Sequence, residues 1–88
     1  MDSKWSVYIL RCGDGTLYTG VAKDVHMRLE THRSGKGAKY TRARLPVTLV
    51  YYEEFETSRQ AQSREAKIKR LTRQQKLELI AKQKASLA

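Results

Sequence analysis

Trp5-Ser-Val-Tyr-Ile-Leu-Arg11, Cys12-Gly-Asp-Gly-Thr16 and Leu17-Tyr-Thr-Gly-Val21 together form the stretch on which the fold turns. The outer pieces are rich in β-branched and aromatic residues, and the middle one is turn chemistry, so the whole reads as a β-hairpin. Its register matters. A two-residue Asp14-Gly15 loop would put Tyr8 and Tyr18 on opposite faces, because side chains alternate with period two. A three-residue Gly13-Asp14-Gly15 loop pairs Cys12 with Thr16 and Tyr8 with Gly20, which brings both tyrosines to one face. Gly15 then supplies the left-handed residue that such loops need, and Gly20 leaves the Tyr8 ring uncrowded.

Downstream of the hairpin, Asp24 has the chemistry of an N-cap for a helix through Val25, Leu29 and His32, and Gly35 that of a C-cap glycine. Arg28 and His32, four apart, share a face of that helix. Ser34 to Arg44 contains two glycines, Lys36, Lys39, Tyr40, Arg42 and Arg44, and reads as a basic loop ended by Pro46. Val47-Thr-Leu-Val-Tyr-Tyr52 reads as a third strand, apolar enough to be central or nearly so. Thr57-Ser-Arg-Gln60 and Thr72-Arg-Gln-Gln75 each have the form of a capping box. The first opens a helix through Leu71. The second opens another, with Leu77, Ile80 and Ala81 on its packing side. The expected fold is therefore α+β, with three antiparallel strands flanked by three helices in the order β-β-α-β-α-α, one domain over 1–88 with its core about residues 5–80.

Length and charge bound what such a domain does. A chain of 88 residues supports one small core. The net charge of +9 is unevenly spread: residues 1–22 balance, 23–44 carry +5, 45–56 carry −3 and 57–88 carry +7. Two basic segments suit a surface that meets phosphates and releases their counterions, although a merely solvated basic face gives the same count. The lone cysteine, Cys12, excludes an internal disulfide and a zinc cage and fits a reducing, cytoplasmic setting. No run approaches the ~18 apolar residues of a membrane span, and Met1 to Lys4 leads directly into the first strand.

Metal-binding His/Cys spacings, phosphate-cradling glycine loops and Ser-His-Asp sets are absent, the only histidines being His26 and His32. What remains is the tyrosine pair, Arg28, and Glu65. On its helix Glu65 lies about 40° from Ala61 and about 60° from Ile68, at the border of the apolar stripe. A carboxylate there needs either a salt bridge or a cation. For the tyrosines the alternative to chemistry is packing, and for His32 it is burial against the sheet.

Val7-Tyr8, then Tyr18-Thr-Gly20, then Arg28 and a later helix with Glu65, resembles the GIY-YIG nuclease superfamily over about residues 5–80, and more narrowly its small stand-alone bacterial members. The resemblance implies DNA cleavage by a water nucleophile with one divalent metal, usually magnesium, held by Glu65. It also implies that Tyr8 assists deprotonation of the water, that Arg28 holds a phosphate oxygen and that Tyr18 positions phosphate or water. His32 falls where the family often has a tyrosine or histidine, and is a candidate base or hydrogen-bond partner. A phenol acts as a base near neutrality only in a positive environment, which Arg28 is expected to provide. Lys39 and Arg42 are candidate phosphate contacts and Tyr40 a base-stacking residue. Two departures stand out. The first motif reads Ser6-Val7-Tyr8, and Val21 occupies a position where catalytic relatives place a lysine, with Lys23 nearby but expected to point elsewhere. The expectation is a magnesium-dependent nuclease acting on DNA in repair or processing. The alternatives are a catalytically weak or inactive nucleic-acid-binding module, or an interaction module for a repair complex.

Overall fold

The computed structural model describes residues 4–87. The outermost residues of the expected 1–88 domain, including most of the Met1 to Lys4 lead-in, lie outside them.

Strands β1 (Trp5–Arg11) and β2 (Leu17–Ala22) form the hairpin. Their register sets Tyr8 opposite Gly20, and the Cys12 N–H donates to the Thr16 carbonyl at 2.9 Å, closing the three-residue loop. Gly15 takes φ +85°, which any L side chain would resist. Asp14 stiffens the turn by accepting from the Thr16 N–H at 3.0 Å and the Thr16 hydroxyl at 2.6 Å.

Strand β3 (Thr48–Phe55) pairs antiparallel with β1, giving the order β2-β1-β3. Here the structure corrects the sequence reading: β1 is central and β3 is an edge. The apolar run that suggested a central strand continues through Glu53 and Glu54, and charge of this kind blunts an exposed edge. Burial agrees, since Val7, Ile9 and Leu10 are wholly buried whereas Tyr52 is 38% exposed. A bulge between Ile9 and Leu10 leaves Val50 as the extra residue of β3.

The expected helices form, with one addition. Helix α1 (Val25–Arg33) starts at Asp24, whose carboxylate accepts from the Met27 N–H at 3.0 Å. It ends in a Schellman arrangement in which Gly35 N–H donates to His32 O and Lys36 N–H to Thr31 O. Inside the basic loop lies α2 (Lys39–Arg42), a single turn too short to leave a periodic signature. Helix α3 (Ser58–Lys69) and helix α4 (Arg73–Leu87) follow. Both capping boxes are made reciprocally, Thr57 with Gln60 and Thr72 with Gln75.

The sheet is covered on both sides. One cluster holds Tyr8, Leu10, Cys12, Ala22, Val25, Leu29 and Val47, and the other holds Val7, Ile9, Tyr51 and Ile68. Helix α4 packs by Leu79 and Ile80, not by Leu77 and Ala81, which are exposed. Gln83 explains the rotation. Its side-chain amide donates to the Tyr52 carbonyl at 2.7 Å and accepts from the Tyr52 N–H at 3.3 Å, so the face bearing residues 79, 80 and 83 is held against the open edge of β3. No described helix is long and apolar enough to cross a membrane.

Candidate active site

Three of the expected site residues converge on one face of the hairpin. The register puts Tyr8 and Tyr18 together with ring centroids 6.5 Å apart. Helix α1 drops His32 beside both, at 6.0 Å from Tyr8 and 5.4 Å from Tyr18. Gly20 makes this possible: a Cβ there would lie 2.6 Å from the Tyr8 hydroxyl oxygen. Tyr8 is 2% exposed and His32 1%, while Tyr18 is half-buried and Arg28 lies on the accessible surface.

The buried pair is directly bonded. Tyr8 Oη lies 3.0 Å from His32 Nε2, and His32 Nδ1 lies 2.8 Å from Thr41 Oγ1 on α2. Burial pushes the Tyr8 phenol well above its ordinary range, with the neighbouring Tyr18 adding to the rise, Arg28 opposing it and Glu65 reinforcing it. Here too an expectation is corrected. Arg28 does favour the phenolate, but desolvation of the charged form outweighs it, so the phenol form is favoured. Burial and the Arg28 charge both lower His32, which keeps the imidazole neutral and able to accept.

The basic loop is anchored to this cluster rather than loose. Tyr40 stacks on Tyr18 with centroids 5.9 Å apart, and the Arg44 guanidinium sits 3.9 Å from the Tyr40 ring centre. Arg44 is held in turn by Asp14 of the hairpin loop at 3.1 Å. Tyr40, expected as a base-stacking residue, therefore already has its π surface engaged within the protein. Lys39 and Arg42 are exposed on α2. Lys23 points elsewhere, as expected, with its ammonium 5.8 Å from the Trp5 ring centre, and Val21 packs against the second core.

Glu65 comes from the opposite layer. Helix α3 rests on β1 and β2, with Ala61 and Ile68 wholly buried beneath it. Arg64 and Glu65 flank that buried line on opposite sides. Arg64 bonds Glu53 of β3 at 3.1 Å, which leaves Glu65 on the flank toward β2. Its side chain is 24% exposed and pairs with Lys69 at 3.4 Å, so the salt bridge is present. Its charge also acts on Tyr8, although among the described residues no hydrogen bond joins it to the tyrosine cluster.

Among the described residues no group of three or more His, Cys, Asp or Glu comes together. A single carboxylate nonetheless fits a hard cation of the magnesium kind, which keeps several waters and takes substrate phosphate oxygens as further ligands. Glu65 is the residue that would hold it.

Thr41, Gly37, Arg44 and Asp14 escaped the sequence reading as parts of the site. Thr41 has only its place nine residues after His32 to mark it. Asp14 looked like turn chemistry alone.

The chain matches the model of the GIY-YIG catalytic domain over residues 4–78, a span that includes the hairpin, helix α1 and helix α3. The chain belongs to the GIY-YIG family. Within it, the chain is similar to small bacterial proteins called UPF0213. It is 58% identical to one from Streptococcus sanguinis, over 91% of this chain and 92% of that one. It is 59% identical to one from Staphylococcus aureus, over 91% and 96%. The solution NMR structure of a UPF0213 protein from Bacillus halodurans matches with a TM-score of 0.58 and 45% identity, covering 89% of this chain and 83% of that one.

Proposed function

We propose that this protein is a divalent-metal-dependent nuclease that hydrolyses phosphodiester bonds in DNA, acting in repair or processing. The observation that carries the reading is the buried Tyr8–His32 pair, bonded at 3.0 Å beneath the Arg28 charge. A nuclease needs a proton acceptor for its water, a cation for the phosphate and stabilisation of the departing oxygen. Tyr8 takes the proton of the attacking water as its own passes to His32 Nε2. Tyr8 keeps only 2% of its surface open, so little beyond the reacting water can reach it. Arg28, at the accessible margin, binds a non-bridging oxygen and neutralises charge that grows in the transition state. Tyr18 positions the phosphate beside it. Glu65 would hold a magnesium or similar ion, which when bound stabilises the leaving oxygen. Lys39 and Arg42 hold flanking phosphates.

The test incubates the pure protein with single-stranded, duplex, nicked and branched DNA, and with RNA, with and without magnesium, beside Glu65→Ala. The reading expects cleavage that requires the metal and is lost in the variant. No cleavage, or equal cleavage by Glu65→Ala, overturns it. One observation favours a second reading, a nucleic-acid-binding module with little turnover: among the described residues no lysine is one of the charges that shift the Tyr8 phenol, since Val21 packs against the second core and Lys23 lies against Trp5. That module binds DNA with steep salt dependence and cuts nothing in the same assay.

A further inference from the structure

We propose that Thr41 is a positioning residue: its hydroxyl fixes His32 in the tautomer protonated at Nδ1 and thereby orients the Tyr8 hydroxyl as a donor into Nε2. The catalytic consequence rests on the nuclease reading, whereas the tautomer does not.

The argument is one of donors and acceptors. Thr41 is wholly buried, and its Oγ1 lies 2.9 Å from the Ala38 carbonyl oxygen and 2.8 Å from His32 Nδ1. A hydroxyl has one hydrogen and a carbonyl has none to give. Two oxygens at that separation with no proton between them repel, so the Thr41 hydrogen belongs to the Ala38 contact. The contact with His32 is then made by a lone pair of Thr41 Oγ1, and Nδ1 must carry hydrogen. In a neutral imidazole this leaves Nε2 bare. Nε2 is the atom that Tyr8 Oη meets at 3.0 Å. Three hydrogen bonds therefore run in one direction, from Tyr8 to His32 to Thr41 to the Ala38 carbonyl.

The loop is shaped to hold this arrangement. A Cβ on Gly37 would collide with His32 Nδ1 and lie 2.8 Å from Cγ and 2.9 Å from Cα, so only glycine lets the chain pass flat over the ring. Helix α2 then turns Thr41 inward while Lys39 and Arg42 stay outside. Facing the imidazole are Tyr8 from β1, Tyr18 from β2 and the Arg28 charge from α1, with Tyr40 of α2 stacked on Tyr18. None of these accepts a hydrogen bond from Nδ1.

The proton balance follows. As water gives a proton to a lone pair of Tyr8 Oη, the original Tyr8 O–H bond breaks and an N–H bond forms at His32 Nε2. Tyr8 ends as a phenol again and His32 as an imidazolium. Both imidazolium N–H groups then have acceptors, Tyr8 Oη and Thr41 Oγ1. With the opposite tautomer Nε2 already carries hydrogen, and the transfer has nowhere to go.

The experiment reads the imidazole nitrogens of His32 by NMR in the full protein above pH 7, with His26 assigned separately through His26→Gln. Wild type is expected as the Nδ1–H form, Thr41→Ser likewise, and Thr41→Val as a mixture or as the Nε2–H form. In cleavage assays Thr41→Val is expected to lower kcat at least tenfold with KM little changed, and Thr41→Ser to restore it. An Nε2–H wild type overturns the proposal, as does a Thr41→Val spectrum identical to wild type. Should Thr41→Val fail to fold, the wild-type and Thr41→Ser spectra still decide. If the tautomers behave as expected in a protein that cuts no substrate, Thr41 keeps its role and the nuclease reading falls.

Discussion

Gly20 lies directly against the Tyr8 phenol: a methyl group on its α-carbon would stand 2.6 Å from the hydroxyl oxygen and 2.7 Å from the ring carbon that bears it. Gly20→Ala must therefore displace the ring or the strand. Forcing a methylene into a packed site costs about 1–3 kcal/mol. The displacement also stretches the 3.0 Å bond to His32. We expect a lower midpoint in urea unfolding and a loss of cleavage larger than the stability change alone explains. A variant as stable and as active as wild type would show that Tyr8 is not held by Gly20.

The hairpin was legible because its turn chemistry is local. Gly15 and Gly20 each satisfy one steric demand, and together they fix the register that joins Tyr8 and Tyr18. Glu65 was legible for a similar reason, since helix geometry alone marks a carboxylate at the edge of a stripe. The edge position of β3 was not, because β-branched residues report burial but not neighbours in a sheet. The Arg28 charge that favours the Tyr8 phenolate is visible in sequence, whereas the larger opposing effect, desolvation of the phenol, depends on packing. Helix α2 and Thr41 went unseen because one turn has no period, and a threonine in a basic loop is unremarkable until His32 is placed beside it.

Lys39 and Arg42 stand outside the bonded cluster, so removing them tests the basic loop without disturbing the chemistry beneath it. Each phosphate contact contributes about 0.9 to the slope of log affinity against log salt on duplex DNA. The double variant Lys39→Ala, Arg42→Ala is expected to flatten that slope by about 1.8 if both residues contact phosphates. Fluorescence anisotropy across a salt series measures it. An unchanged slope removes both residues from the interface.

Thr19 presents a different kind of signal. It is 5% exposed, and its hydroxyl has no hydrogen-bond partner among the described residues. It pairs with Ile9 on the side of the sheet away from the tyrosines. A buried hydroxyl without a partner costs about 1–3 kcal/mol. Thr19→Val keeps the shape and removes the polar atom, so it should raise stability by about 1 kcal/mol in urea unfolding. A loss of stability would mean that the hydroxyl is satisfied in solution.

His32 and Tyr8 bound the stability of the fold in pH from opposite ends. The His32 pKa is lowered in the folded protein from an ordinary value of 6.5, first by burial and then by Arg28. Between the folded value and 6.5 the unfolded chain binds more protons, so this contribution is whole above about pH 6.5 and is lost as pH falls toward the folded pKa. Tyr8 is raised from 10.0. Its contribution is whole below about pH 10 and declines as the unfolded phenol ionises first. Each slope can reach at most about 1.4 kcal/mol per pH unit. His32→Gln should flatten the acid limb and leave the alkaline one, whereas Tyr8→Phe should do the reverse. Cleavage should follow the same acid limb, since an imidazole already protonated at Nε2 cannot take the Tyr8 proton. Thermal unfolding of the three proteins from pH 5 to pH 11 separates the limbs. An acid limb unchanged in His32→Gln would place the titrating group elsewhere.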